Sequence, residues 1–248
     1  MVLHYDSTLS GFLCLLGFAI KERLEVTTIH RSQHSTTIDL FCRERIIKTD
    51  PHWAGKVANG LEKKLGRSFM TTMGQALFSE VDDIELDLLR LTRRALHEGH
   101  KIMNNLADPL IGWINSASLK TARERHRLLG LLRFNRLIDD SYLARTSPRT
   151  NAVPLLGSHF ARRLGEQRWL IVDEKRNLGI WGEKRSWQLV EQIEVAADLT
   201  LHENEQQVTE LWRNFYQSIS NPDRYNPKLR RQFMPKMYWQ YLTEMQPT

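Results

Sequence analysis

The most suggestive carboxylate in the chain is Asp173. It directly follows the apolar run "WLIV", Trp169 to Val172. A strand that ends in a carboxylate holds it rigidly, which is what acid–base or charge-stabilising chemistry requires. The same residue could instead open the turn at "DEKRN" by accepting hydrogen bonds from nearby backbone. Two histidines stand with it as candidate proton-transfer groups. His159 lies in "HFARRLG", beside Arg162 and Arg163, and His126 lies in "ERHRLLGLLRF" with Glu124, Arg127 and Arg133. Helical spacing puts Leu119, Ala122, His126 and Leu129 on one face. His126 is therefore either a hydrogen-bonded core residue or a group facing a cleft.

The second chemistry is charge. The stretch "NPKLRRQFMPKMYW", Asn226 to Trp239, carries Lys228, Arg230, Arg231 and Lys236 and no acid. Phe233, Tyr238 and Trp239 are interleaved with these cations. Cations at this density neutralise phosphates and release counterions, and aromatics stack on bases or wedge between them. The alternative is a solvated basic face whose aromatics pack inward. Arg162, Arg163 and Arg176 extend the set of candidate phosphate ligands, and Trp169 the set of candidate stacking residues.

Other chemistries find no support. His97, Glu98 and His100 do not form a HExxH pair. There is no Gly-rich phosphate loop, no GxSxG elbow and no zinc-deaminase signature. The water-activating motif of the common uracil-DNA glycosylases is also missing. The expectation is a protein with no metal and no cofactor. Cys14 and Cys42 are the only cysteines and have no ligand spacing, so a reducing cytoplasm is expected.

These residues need a scaffold. The chain has 248 residues, 41% hydrophobic and 26% charged, with a net charge of +6. That suits a globular protein with an anionic partner. "LSGFLCLLGFAI" is apolar but too short to span a bilayer and lacks a basic flank, so it reads as a buried helix and no membrane partner is expected.

"MVLHYDS" reads as an edge strand leading to a cap at Ser7 or Thr8, and residues 26–48 as strand-like through "VTTI" and "TTI". Asp50-Pro51 opens a helix, and helical patterning continues to about Leu132 with a break at Asp108-Pro109. "RFNRLIDDSYLARTSP" predicts a hairpin turning at Asp139-Asp140, and "LLGSHFARRLG" a short helix. "RWLIVDEKRNLGIWGEKRSWQLV" predicts three strands and two turns. "ENEQQVTELWRNFYQSIS" predicts an amphipathic helix with Val208, Leu211, Trp212 and Phe215 on one stripe. The fold class is α+β in a single domain. A largely helical first half with an N-terminal strand region precedes a small antiparallel sheet with flanking helices.

Four segments together resemble a known family. They are "YDSTLSGFLCLL", "ERHRLLGLLRF", "VPLLGSHFARRLGEQRWLIVDEKRN" and "ELWRNFYQSISNPDRYNPKLRRQFMPKMYWQYL". Their order is similar to that in the proteins known as probable DNA metabolism proteins. That domain of unknown function occurs fused to X-type uracil-DNA glycosylase-like domains and is encoded beside a DNA-repair radical-SAM protein. The chain departs from the pattern at Asn135 and Arg136, where the family has an acidic residue soon after the "RF" pair.

The resemblance implies work on double-stranded DNA. One expectation is a DNA glycosylase that flips out a damaged or modified base, with Asp173 as carboxylate and His159 or His126 assisting the departing base. Repair, or attack on modified phage DNA, would be its setting. The alternative is a non-catalytic DNA-binding partner of a radical-SAM or glycosylase enzyme. No fused glycosylase domain is present in these residues, so action alone or with a separate partner is expected. An RNA-binding role has no RRM, KH or cold-shock signature behind it.

Overall fold

The computed structural model describes residues 1–31, 43–195 and 199–246. It divides into two compact units, Met1–Thr121 and Ala122–Thr248. The "TTI" strand signal and Cys42 lie outside the described residues.

The first unit begins with β1 (Val2–His4), α1 (Leu9–Lys21), β2 (Thr28–His30) and β3 (Glu44–Ile46). β1 is the central strand of a three-stranded parallel sheet in the order β2-β1-β3, not the edge strand its sequence suggested. All three of its residues are buried, because it is flanked on both sides rather than exposed along one edge. Thr8 caps α1 by accepting a hydrogen bond from the Gly11 N–H at 2.9 Å. Asp50 caps α2 (Pro51–Leu77) by accepting from the backbone N–H groups of His52 and Trp53, and Pro51 fits the first turn. Gly66 breaks that helix, with φ +86°, a conformation that favours glycine.

The helix α3 (Ile84–Glu98) buries Leu86 and Leu89 and exposes Arg90, the two faces of an amphipathic helix. Asp108 accepts from the Leu110 and Ile111 N–H groups to start α4 (Pro109–Leu131). The division between units falls inside α4.

The second unit follows with β4 (Phe134–Arg136), β5 (Tyr142–Thr146), α5 (Gly157–Leu164), β6 (Trp169–Asp173), β7 (Leu178–Glu183) and β8 (Ser186–Glu191). The strands form one sheet in the order β4-β5-β6-β7-β8. The hairpin and the three-strand meander are where the sequence put them. The sheet is mixed rather than purely antiparallel, because β5 and β6 run parallel. The segment joining them contains α5, and a helical crossover of that length returns the chain in the same direction.

One sheet face is covered. Phe134, Tyr142, Ala144, Trp169 and Ile171 pack there with Leu156 and Phe160. α6 (Glu205–Ile219) and α7 (Pro227–Phe233) come next, and short 3-10 helices at Lys236–Tyr241 and Thr243–Met245 end the described chain. α6 forms as predicted, but its apolar stripe is not in the core: Val208, Leu211, Trp212 and Phe215 are all exposed. α6 is held instead by polar contacts to the last turn, the Trp212 indole N–H donating to Glu244 at 2.9 Å and Arg213 donating to the Thr243 carbonyl at 3.1 Å. No helix among the described residues is long and apolar enough to cross a membrane.

Candidate nucleic-acid interface

The C-terminal segment is anchored by Glu124, a buried carboxylate on α4. It accepts hydrogen bonds from the Arg149 N–H at 2.9 Å, the Thr150 N–H and hydroxyl at 2.6 Å each, and the Tyr238 hydroxyl at 2.7 Å. Burial pushes the Glu124 carboxyl up, but the hydrogen bonds from Thr150, Tyr238 and the backbone outweigh it and hold it below the usual carboxylate range. Burial and the bond to Glu124 push the Tyr238 phenol up, so it remains a donor. A second anchor is Glu244, gripped by Arg133 at 2.6 Å and 3.2 Å.

Between these anchors the chain presents α7. Asn226 caps it by accepting from the Leu229 N–H at 2.9 Å. Phe233, its last residue, is 63% exposed. A depression lies on each side of this ring. One, about 360 Å³, is lined by Ala122, Arg123, His126, Arg127 and Gln232 as well as Phe233. The other, about 540 Å³, includes Arg224, Tyr225, Leu229 and Arg230. No carboxylate among the described residues lines either one. Lys228 and Arg231 are exposed on α7 itself.

The aromatic residues of the tail divide into two roles. Phe233 and Tyr225 project, whereas Tyr238 is buried. The Arg230 guanidinium stacks over Tyr225 at 5.5 Å and over Trp239 at 5.3 Å, and the Lys236 ammonium lies 5.9 Å from the Trp239 ring centre. Trp239 is fixed in turn by donating its indole N–H to the Met234 carbonyl at 2.8 Å. Cation–π stacking thus pre-orders part of the basic surface.

The three proposed catalytic groups are not brought together. Asp173 has no exposed surface. Its carboxylate accepts from the Lys175 N–H at 3.0 Å and pairs with Arg176 at 2.7 Å. That is the turn-forming role, and the strand pleat is its cause: the side chain of Asp173 falls on the covered face. Burial pushes its carboxyl up despite Arg176.

Arg176 also donates to the Pro148 and Arg149 carbonyls at 3.0 Å each, so it clamps a loop instead of presenting itself to phosphate. His159 has its Nε2 sealed from solvent and without a hydrogen-bond partner among the described residues. Burial, then the nearby arginines Arg163, Arg125 and Arg162, hold it below the usual histidine range. His126 is exposed and faces the smaller depression, so the cleft reading holds for it and the core reading does not. No hydrogen bond or ion pair among the described residues links Asp173 to either histidine.

Arg162 and Arg163 are exposed on α5. Trp169 is 1% exposed, its indole lying against Gly182, where an added Cβ would come within 2.2 Å of the ring. Trp169 and Tyr238 therefore serve the core and cannot stack on a base from these positions. Arg123, Arg127 and Tyr225 were not singled out as binding residues from sequence. Only a helix-face count carried from α4 to the tail could have joined the two arginines to Phe233. No group of three or more histidine, cysteine or acidic residues among the described residues is arranged to hold a metal.

The fold and this surface define an α+β protein whose C-terminal unit bears an aromatic ridge between two acid-free, arginine-lined depressions. The chain belongs to the family described as DUF4130, a domain of unknown function, which it matches over residues 82–244. No curated protein and no solved structure matches it.

Proposed function

We propose that this chain is a DNA-binding protein of base repair or modification, and that it grips double-stranded DNA with the ridge around Phe233. The observation that carries this reading is the exposed ring flanked by cations, with no carboxylate among the described residues lining the depression on either side. Acid-free arginine surface attracts phosphate, and an exposed phenyl ring stacks on bases or enters the duplex. The similarity to the probable DNA metabolism proteins, including those fused to X-type uracil-DNA glycosylase-like domains, supports the same class. Duplex DNA and RNA of matching sequence should be compared by anisotropy. Tight binding of the DNA, weakened by Phe233→Ala with no change in melting temperature, supports the reading; indifference to Phe233 contradicts it.

Within that class, base excision by a glycosylase is the enzymatic reading, directed at a damaged base or at modified phage DNA. The second reading is an accessory protein that delivers a radical-SAM or glycosylase enzyme. The inward turn of Asp173 favours the second reading if that residue were the only carboxylate available. The two are separated by incubating the protein with unmodified, deaminated, alkylated and hydroxymethylated DNA and scoring abasic sites by alkaline cleavage. Either activity fits a cytoplasmic protein acting on the chromosome or on entering DNA.

A further inference from the structure

The sheet of the second unit has one covered face and one partly open face. Strand register says which residues share the open one. Asn135 pairs with Leu143, and Arg145 pairs with Val172, so Asn135 and Arg145 lie on the same side of the pleat. Glu174 is two residues beyond Val172 and therefore emerges on that side as well. Asp173, between them, points the other way. The open face forms a cleft of about 460 Å³, walled by Asn135, Arg145, Glu174, Leu201, Gln240 and Tyr241.

The polar groups in this cleft are fixed but not saturated. Arg145 donates from Nε to Glu174 at 2.5 Å, and its Nη donors make no other hydrogen bond among the described residues. The Tyr241 hydroxyl donates to the other Glu174 oxygen at 2.6 Å. Burial and that bond push the Tyr241 phenol up to about 12, which keeps it a donor. Asn135 donates its amide N–H to Glu205 at 3.2 Å, which leaves its carbonyl oxygen as an acceptor. The cleft thus offers a guanidinium fork, a carboxylate and amide groups, with the Leu201 side chain as an apolar patch and the Tyr241 ring as part of the wall.

Charge decides which ligand suits it. Glu174 sits against Arg145 and offsets its charge, and nearby Arg133 is occupied by Glu244. The site is therefore poorly suited to a bare phosphate. It suits a neutral, flat group with donors and acceptors on its edge. Its volume lies within the range that holds small ligands.

We propose that this cleft receives a nucleobase turned out of the DNA, with Arg145, Glu174 and Asn135 reading its hydrogen-bonding edge. Enzymes and readers that act on a single base extrude it into such a pocket. The choice of a nucleobase over another heterocycle rests on the DNA-binding reading above.

The test separates the two. Neutral deoxynucleosides of adenine, cytosine, guanine, thymine and uracil are titrated into the full chain, with binding followed by ligand-observed NMR. Saturable binding of at least one is expected. It should weaken about tenfold or more in Arg145→Met and Glu174→Gln, each checked for an unchanged melting temperature. Phe233→Ala, which should lose duplex affinity, should bind the nucleoside unchanged. Saturation by no nucleoside, binding that survives both cleft substitutions, or displacement by ribose 5-phosphate as well as by the nucleoside would each overturn the proposal. Failure of the DNA-binding reading appears separately, as absence of duplex binding in the unaltered protein.

Discussion

Arg145 and Glu174 meet across an open sheet face, Nε to Oε1 2.5 Å, while Asp173, one residue earlier, faces the covered side and pairs with Arg176 at 2.7 Å. Adjacent carboxylates thus have opposite surroundings. Replacing Asp173 with alanine removes a fully buried carboxylate from its contacts with the Arg176 guanidinium and the Lys175 N–H. A loss of about 3 kcal/mol in unfolding free energy is expected, read from urea denaturation. Glu174→Gln, on the open side, should change stability by less than about 1 kcal/mol. Lost activity in Asp173→Ala would then report a damaged fold.

Stability should depend on acid through Glu124 and Glu244. Hydrogen bonds and Arg133 hold both carboxyls below their ordinary value of 4.5 in spite of burial. For a group with a lowered folded-state value, the contribution to stability is complete above the unfolded value and disappears as pH falls through the folded one. The urea midpoint should hold down to about pH 5 and then drop. Asp173, whose carboxyl is raised, acts in the opposite sense and blunts the drop. Glu124→Gln should flatten the acid limb while lowering stability at neutral pH.

Tyr238→Phe removes one of four donors to the buried Glu124 carboxylate. A destabilisation of about 1–3 kcal/mol is expected. Because Tyr238 ties the segment that carries Phe233 to α4, DNA affinity should fall in the same variant. Limited proteolysis should show earlier cleavage after Lys228, Arg230 or Arg231. An unchanged digestion pattern would mean that the segment is held by other contacts.

Trp169→Ala should destabilise by about 3–5 kcal/mol, the usual consequence of emptying a core site of this size. Phe233→Ala should leave stability within about 0.5 kcal/mol and weaken DNA binding by about tenfold. The opposite pattern would show the two aromatics to be assigned the wrong way round.

Much of the scaffold was legible in the sequence. Helical periodicity, apolar runs bounded by turns, and cap signals at Ser7 or Thr8 and at Asp50 pointed to most helices and to all five strands of the second sheet. Sheet topology was less legible. A three-residue strand such as Val2–His4 carries no sign of how many neighbours it has, and β5–β6 pairing depends on the return path through α5. The site was legible in kind and not in register. The sequence placed Asp173 at the end of a buried strand, but "DE" offers two carboxylates there, and the pleat sends Glu174 rather than Asp173 to the open face. Likewise "RRQF" and "KMYW" show aromatics and cations, but only the packed chain distinguishes the projecting Phe233 from the buried Tyr238.

The measurement that bears most directly on the central claim is the salt dependence of duplex DNA binding by the whole chain. The unaltered protein should bind, with log K falling linearly as log salt rises. Replacing Arg123 or Arg231 with alanine should each lower the slope by about one. Absence of binding at low salt, or a slope untouched by both substitutions, would contradict the account.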